Sequence, residues 1–414
     1  MTQPAHTLKF VLCSLLLSLS AHGQNWNPVT TTAAIWNSMA GSQHGRQLVS
    51  ADFSDDPYIS FLPGQIYAST NGGLTWQPTS APRNYWESVA AATNGLRLVA
   101  AAEYDSGFNP GQIFISTNGS LTWTAISALT NYWVAVGSSA DGQILVGAAY
   151  NDGIYVSTNF GINWSQSDAP TNGWGTLAVS ADGHKMYATE SVQSTYSGSG
   201  SGGIFISTNL GSTWNLSTSA PLFAWGPVVC SADGNLAFAG IAGNDGGSIY
   251  ITTNNGETWD PTAAPTKNWQ GLSMSTYGDI LLACTYSGDN TIGLIYLSTD
   301  GGTTWTPQTA PASSWGCVFC SADGTLLTGG QSDGAIYTAT NPVPQPKLAI
   351  KELSGHAVVS WPEYPAAFEL QTRPTLNPGD NWTNMAGSVV LSGTNYYTTN
   401  SATSPGAFFR LVRP

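Results

Sequence analysis

Charge is what this chain of 414 residues has least of: 8% of its residues are Asp, Glu, Lys or Arg, and only eleven are Lys or Arg, for a formal net charge of −13. Eleven cations cannot build the basic surface that phosphate backbones demand, so nucleic acid is a poor partner. Anionic membranes are disfavoured for the same reason. Histidine is scarce as well (five in all), and no His-x-Glu, His-Glu-x-x-His or Gly-x-Ser-x-Gly constellation exists, which leaves zinc and serine hydrolase chemistry unsupported. Of five cysteines, Cys13 sits in the apolar run "FVLCSLLLSLS". That run follows Lys9, is too short to span a bilayer, and ends at "AHG", a small-x-small cleavage pattern. Residues 1–23 therefore read as a secretory signal peptide, with no membrane insertion and a secreted, cell-surface or periplasmic destination. Cys13 lacks the small residues that precede a lipoprotein cysteine. Cys230, Cys284, Cys317 and Cys320 remain. "CVFC" lies in a strand-like run, where residues three apart face opposite ways, so a local disulfide or shared metal is excluded. The four read as small buried hydrophobes, with a Cys284–Cys317 bridge between neighbouring repeats left open.

What the chain has in abundance is one octamer. "STNGGLTW" ends at Trp76 and returns as "STNGSLTW" (Trp123), "STNFGINW" (Trp164), "STNLGSTW" (Trp214), "TTNNGETW" (Trp259) and "STDGGTTW" (Trp305). A second tryptophan follows ten or eleven residues later, at Trp86, Trp133, Trp174, Trp225, Trp269 and Trp315. Beyond these come Asp-Gly or Asn-Gly turns at Asn94, Asp141, Asp182, Asp233 and Asp323, each flanked by apolar runs, which is a hairpin signal. Each unit then holds four short strands and no helix, with a period of 41 to 51 residues, the size of one propeller blade.

Units begin at Trp36, Trp86, Trp133, Trp174, Trp225, Trp269 and Trp315, which predicts an all-β, seven-bladed propeller of four-stranded antiparallel blades over residues 24–342. The last unit stops at "AIYTATNP" without its closing half, while "NWNPVTTTAAIW" before Trp36 matches "TWQPTSAPRNYW" before Trp86. The strand near Trp26 is therefore expected to dock beside Ile336–Tyr337 and close the ring without an open edge. Residues 343–347 read as a Pro-rich linker, and 348–414 as a small β domain, sandwich-like, whose role is open.

The octamer resembles the Asp-box, or BNR repeat, of sialidases, sortilin-type receptors, two-propeller xyloglucanases and many secreted bacterial propellers. The resemblance covers about three quarters of the chain and implies a hairpin between the third and fourth strands. The Asn or Asp accepts from turn N–H groups, Gly takes positive φ, and Trp seals the turn. Five boxes carry Asn and only Asp300 keeps the acid. The octamer is thus a structural staple. Resemblance to sialidases would imply three arginines from separate blades, but Arg46, Arg83 and Arg97 all fall in the first two units, so that clamp cannot be assembled. The xyloglucanase arrangement needs two propellers. Photosystem-assembly propellers share the repeats but rely on an arginine-rich patch absent from this chain.

Chemistry is left to the face opposite the octamers, where the loops between second and third strands vary. They carry Asp52, Glu103, Asp105, Asp152, Glu190, Asp245, Asp289 and Asp333, with Tyr104 and Tyr150, and Trp86, Trp133, Trp174, Trp225, Trp269 and Trp315 begin strands near the same face. An acidic, aromatic-rich mouth suits a sugar, whose rings stack on aromatic planes while carboxylates accept from hydroxyls. The competing reading packs the tryptophans between blades and spends the carboxylates on capping turns. Asp-Asn-Gly loops offer oxygen ligands for Ca²⁺, but none spells an EF-hand spacing, and no cofactor is expected. The expected function is non-catalytic binding of a glycan or extracellular protein on the loop face. The alternatives are a glycoside hydrolase or lyase using loop carboxylates, and a scaffold.

Overall fold

The computed structural model describes residues 24–29, 35–54, 62–191, 202–243, 246–286, 293–332, 334–341, 349–353, 356–362, 369–373, 383–384, 389–392, 395–401 and 408–412. The chain divides into two compact units, the larger running Gly23–Pro342. Every element described in it is a β-strand, and the architecture is an all-β propeller. Each repeat takes the name of the tryptophan that opens its first strand. Five repeats are separate four-stranded antiparallel blades, those of Trp36, Trp86, Trp225, Trp269 and Trp315. The Trp133 and Trp174 repeats share one eight-stranded sheet, because Leu145–Asp152 runs on to a tight turn at Gly153 and its end pairs with the lead-in to Trp174 (Tyr150 opposite Gly173, Asp152 opposite Asn172). This merging departs from the expectation of one sheet per repeat. Tyr150, Asn151 and Asp152 of the "YNDG" loop are part of this strand, which therefore reaches the next repeat before it turns.

The fourth strand of the Trp315 blade is Asn27–Val29, with Asn27 opposite Thr338, Pro28 opposite Tyr337 and Val29 opposite Ile336. Trp26 and Val29 are buried there. First strands neighbour one another in the order Trp36, Trp86, Trp133, Trp174, Trp225, Trp269, Trp315 and back to Trp36. A closed circuit of backbone hydrogen bonds ties their hairpins. Gln43 N donates to Thr93 O, Thr93 N to Ala140 O, Ala140 N to Ala181 O, Ala181 N to Ala232 O, Ala232 N to Thr276 O, Thr276 N to Ala322 O, and Ala322 N back to Gln43 O, all at 2.8 to 2.9 Å.

The core lies between blades. Each opening tryptophan meets a third-strand aromatic edge-to-face: Trp36 with Tyr67, Trp86 with Phe114, Trp133 with Tyr155, Trp174 with Phe205, Trp225 with Tyr250, Trp269 with Tyr296 and Trp315 with Tyr337, at 5.1 to 5.6 Å. Such pairs add ~1 kcal/mol each beyond the area they bury. The four cysteines are free thiols.

The octamer builds its turn from its own side chains. Ser69 Oγ accepts from Gly73 N at 2.9 Å, Asn71 Oδ1 from Thr75 N at 3.0 Å, and Trp76 Nε1 donates to Gly73 O at 3.1 Å. With Asn, the amide donates to the Thr75 hydroxyl; with Asp300, the Thr304 hydroxyl donates to the carboxylate instead, so the hydroxyl proton reverses direction and the turn persists. The fifth position is left-handed in every box, and only Ser120 (φ 73°) occupies it without being glycine. A side chain there costs about 1 kcal/mol. Ser120→Gly is therefore expected to raise the melting temperature by about 2 °C, read by calorimetry. A fall would mean that the Ser120 hydroxyl matters more than its backbone.

In the smaller unit, Ala349–Leu353, His356–Pro362, Asn395–Ser401 and Val390–Ser392 form one antiparallel sheet. Thr383–Asn384, Glu369–Arg373 and Phe408–Val412 form another.

Candidate functional site

Register slips directly after each opening tryptophan, so all seven first strands carry a bulge at the same place. A bulge re-aims a side chain that alternation would have sent elsewhere. The residues after the tryptophans are Asn37, Glu87, Val134, Gly175, Gly226, Gln270 and Gly316. At Gly316 a Cβ would lie 2.0 Å from the Trp36 carbonyl oxygen, so that neighbour forbids a side chain. Between the first two repeats there is room, and Asn37 Nδ2 donates to Glu87 Oε2 at 3.1 Å across the blade boundary.

Glu87 is half-buried and its carboxyl is pushed up to about 8, first by burial and then by the like charge of Glu103; the Asn37 hydrogen bond only partly offsets this. Glu103 is raised by burial against the pull of a hydrogen bond from Tyr104. The Tyr104 phenol is raised in turn by burial, Glu103 and Tyr132. One set of groups from two successive repeats thus shares a single electrostatic neighbourhood. Beside them runs a chain of aromatic rings. Phe53 lies 5.4 Å from Tyr85, Tyr85 stacks on Phe108 at 4.9 Å and meets Tyr104 at 6.3 Å, and Tyr104 meets Tyr132 at 5.3 Å. The chain surfaces at Phe108 (53% exposed) and Tyr132 (38% exposed). Phe108 holds a left-handed backbone (φ 61°), which is costly for a bulky side chain and is maintained by its stack on the buried Tyr85. Asp52, at the end of the strand preceding Phe53, is fully buried. One of its oxygens accepts from the amides of Ile35 and Ser54, the other has no hydrogen-bond partner, and burial pushes its carboxyl up to about 7.

Several residues singled out in sequence do not meet this site. Trp86, Trp133, Trp174, Trp225, Trp269 and Trp315 are at most 1% exposed, so their rings cannot stack on a ligand; the edge-to-face pairs that bury them correct the expectation of a tryptophan-lined mouth. Asp105 spends its carboxylate on the amides of Gly107 and Asn109 and on the Asn109 side chain, which hold it below the usual range. Asp152 accepts from Asn131, Tyr155 and Gln166 and so ties its own loop. Glu190 accepts from Gly203 N at 3.1 Å, which is also a turn contact. Tyr150 is half-buried at the seam of the eight-stranded sheet. Asp245, Asp289 and Asp333 lie outside the described residues. Among the described residues no group of His, Cys, Asp and Glu could hold a metal ion. Glu103 and Tyr104 are the candidates that join the cluster. Glu87, Phe108 and Tyr132 were missed, and a signal existed for the first: it is the only charged residue among the seven that follow the opening tryptophans.

Residues 296–307, in the Trp269 repeat, match the family model of the BNR/Asp-box repeat. No curated protein matches the chain in sequence. Among solved structures, YCF48 bound to D1 peptide is similar with a TM-score of 0.57 and 15% identity, over 78% of this chain and 98% of that one. The GH74 xyloglucanase from Xanthomonas campestris gives 0.59 and 13%, over 82% of this chain and 60% of the enzyme. The GH74 enzyme of Niastella koreensis gives 0.59 and 15%, over 94% and 74%. At these identities the likeness is one of fold.

Proposed function

Taking the chain as a β-propeller built from BNR/Asp-box repeats, we propose that it binds a glycan on its loop face without cleaving it. The eight-stranded sheet counts as two blades joined at an edge, which makes the propeller seven-bladed, and residues 348–414 form an appended sandwich-like module on a secreted protein. One observation carries the functional reading: the ring chain from Phe53 to Tyr132, exposed at Phe108 and Tyr132 beside the Glu87 and Glu103 carboxyls. Flat apolar rings next to hydrogen-bond acceptors match the two surfaces of a pyranose. A rigid tyrosine or phenylalanine also supplies contact area at small entropic cost.

Phe108→Ala and Tyr132→Ala are each expected to weaken glycan binding about tenfold by calorimetry. Leu222→Ala, another exposed apolar residue (56%), should leave it unchanged. A glycan array on which the wild type binds nothing would end the reading. Binding of an extracellular peptide by this face would then take its place; the similar structure of YCF48 is one bound to a peptide, D1.

A second reading has its own support. Glu87 holds its proton near neutrality, the state a general acid needs, and Glu103 is the acid whose charge acts on it. Incubation with a polysaccharide panel and detection of new reducing ends tests it; release by the wild type that Glu87→Gln abolishes would replace binding by hydrolysis.

A further inference from the structure

Two carboxyls sit together at the exposed aromatic strip, and among the described residues no cation is one of the groups that act on them. The groups facing Glu87 are Asn37, which donates to it, and Glu103; those facing Glu103 are Glu87 and Tyr104, with Tyr132 beyond. None of these supplies positive charge. A half-buried carboxylate pair without a counter-charge is unfavourable, and a protein keeps such an arrangement where something else completes it. The remaining surface does not relieve it, since the whole chain carries −13. Beside the pair stand Tyr104 and Tyr132, edge-to-face at 5.3 Å, and aromatic rings also attract cations.

We propose that the strip seats a cationic sugar, an amine-bearing glycan whose ring stacks on Phe108 and Tyr132 while its ammonium lies between Glu87 and Glu103. The proposal rests on the glycan-binding reading and narrows it from sugars at large to amino sugars. Charge complementarity decides the occupant. A neutral glycan would leave the carboxyls unpaired and an acidic one would be repelled, whereas an ammonium donates to both and removes the mutual repulsion. Near neutrality the pair holds a proton that an incoming ammonium displaces, so binding is coupled to proton release.

The test uses the full chain with two probes of equal length, a glucosamine tetrasaccharide and its fully N-acetylated form, titrated calorimetrically at about pH 6 in buffers of different ionisation enthalpy. The expected result is at least tenfold tighter binding of the amine form, with release of up to one proton per ligand. In Glu87→Gln, which keeps an acceptor for Asn37, the preference should fall to about threefold or less and the proton release should vanish. Affinity for the acetylated probe should fall less than affinity for the amine form, and the melting temperature at this pH should not drop. Equal binding of both probes would overturn the amino-sugar proposal and leave glycan binding standing. Binding of neither would overturn both. Should Glu87→Gln melt early, Glu103→Gln provides the same comparison, and an amine preference retained in both variants would also overturn the assignment.

Discussion

A chain lacking residues 24–29 is expected to melt about 10 °C lower than the full-length protein and to aggregate on heating. The segment supplies the outer strand of the Trp315 blade through pairs with Ile336, Tyr337 and Thr338. It also buries Trp26 against a cluster that includes Leu297, Ala310 and Leu327, with Tyr337 packed alongside. Truncating a buried Trp to Ala alone costs about 3–5 kcal/mol. Loss of the strand adds an exposed row of unpaired N–H and C=O groups on Ile336–Thr340, an edge on which further chains can pair. For a unit of this size each kcal/mol is worth about 2 °C. Two further contacts go as well, since the Gln24 side chain donates to Asn341 and its carbonyl accepts from Thr309. The control is a chain in which the same six residues follow Asn341 through a short turn; recovery of the melting temperature there would assign the loss to the missing strand rather than to truncation. An unchanged melting temperature in the truncated chain would mean that the ring does not depend on this strap.

Alkali is the second large lever. Burial raises Glu87 to about 8 and Asp52 to about 7, both from ordinary values near 4. A group whose folded pKa is raised stabilises the fold fully below its unfolded pKa, and this contribution drains away as pH rises through the folded value. Each such group costs ~1.4 kcal/mol per pH unit across that window. Stability is therefore expected to fall by several kcal/mol between about pH 5 and pH 9, with most of the loss complete by pH 8. The turn-face acids act in the opposite sense. Asp323 is held down to about 2 because hydrogen bonds from Ser321, Thr325 and His44 outweigh its burial, and Asp141 and Asp182 are lowered chiefly by their serine hydroxyls. Their contribution is lost only below about pH 4. Thermal melts across pH 3 to 10 should thus peak on the acid side of neutrality. Glu87→Gln should flatten the alkaline limb by about one proton, and a wild type equally stable at pH 5 and pH 9 would refute the assignment.

The octamers announced the hairpins because each carries its own acceptors, its left-handed glycine and its sealing tryptophan within eight residues. The position of the closing strand was legible too, since Trp26 and Pro28 repeat the spacing of Trp76 and Pro78. The direction of the opening tryptophans was not. Alternation says which residues share a face, but not whether that face meets a neighbouring sheet or the open mouth. Each tryptophan pairs with the third-strand aromatic of its own blade on the face that the neighbouring sheet covers, as Phe319 and Ile336 cover Trp36 and Tyr67. Glu87 stayed hidden for a related reason. The bulge after Trp86 shifts the register by one residue, so period-two counting assigns the glutamate to the wrong side. The carboxylates that did stand out in variable loops, such as Asp105 and Asp152, were conspicuous because turns need them. The fused sheet was not legible either, since "QSDG" is as short as "YNDG" and yet its blade stays separate.

The seven hairpins that hand an amide proton from one to the next leave no spare donor or acceptor in the circuit. A gene that duplicated or lost one repeat would encode a chain with a gap in that circuit, or with an extra hairpin that has no neighbour on one side. Closing the gap would require every remaining blade to change its angle to the next. Copy number is therefore a fixed property of this molecule, set by the closure of the circuit rather than by any single blade.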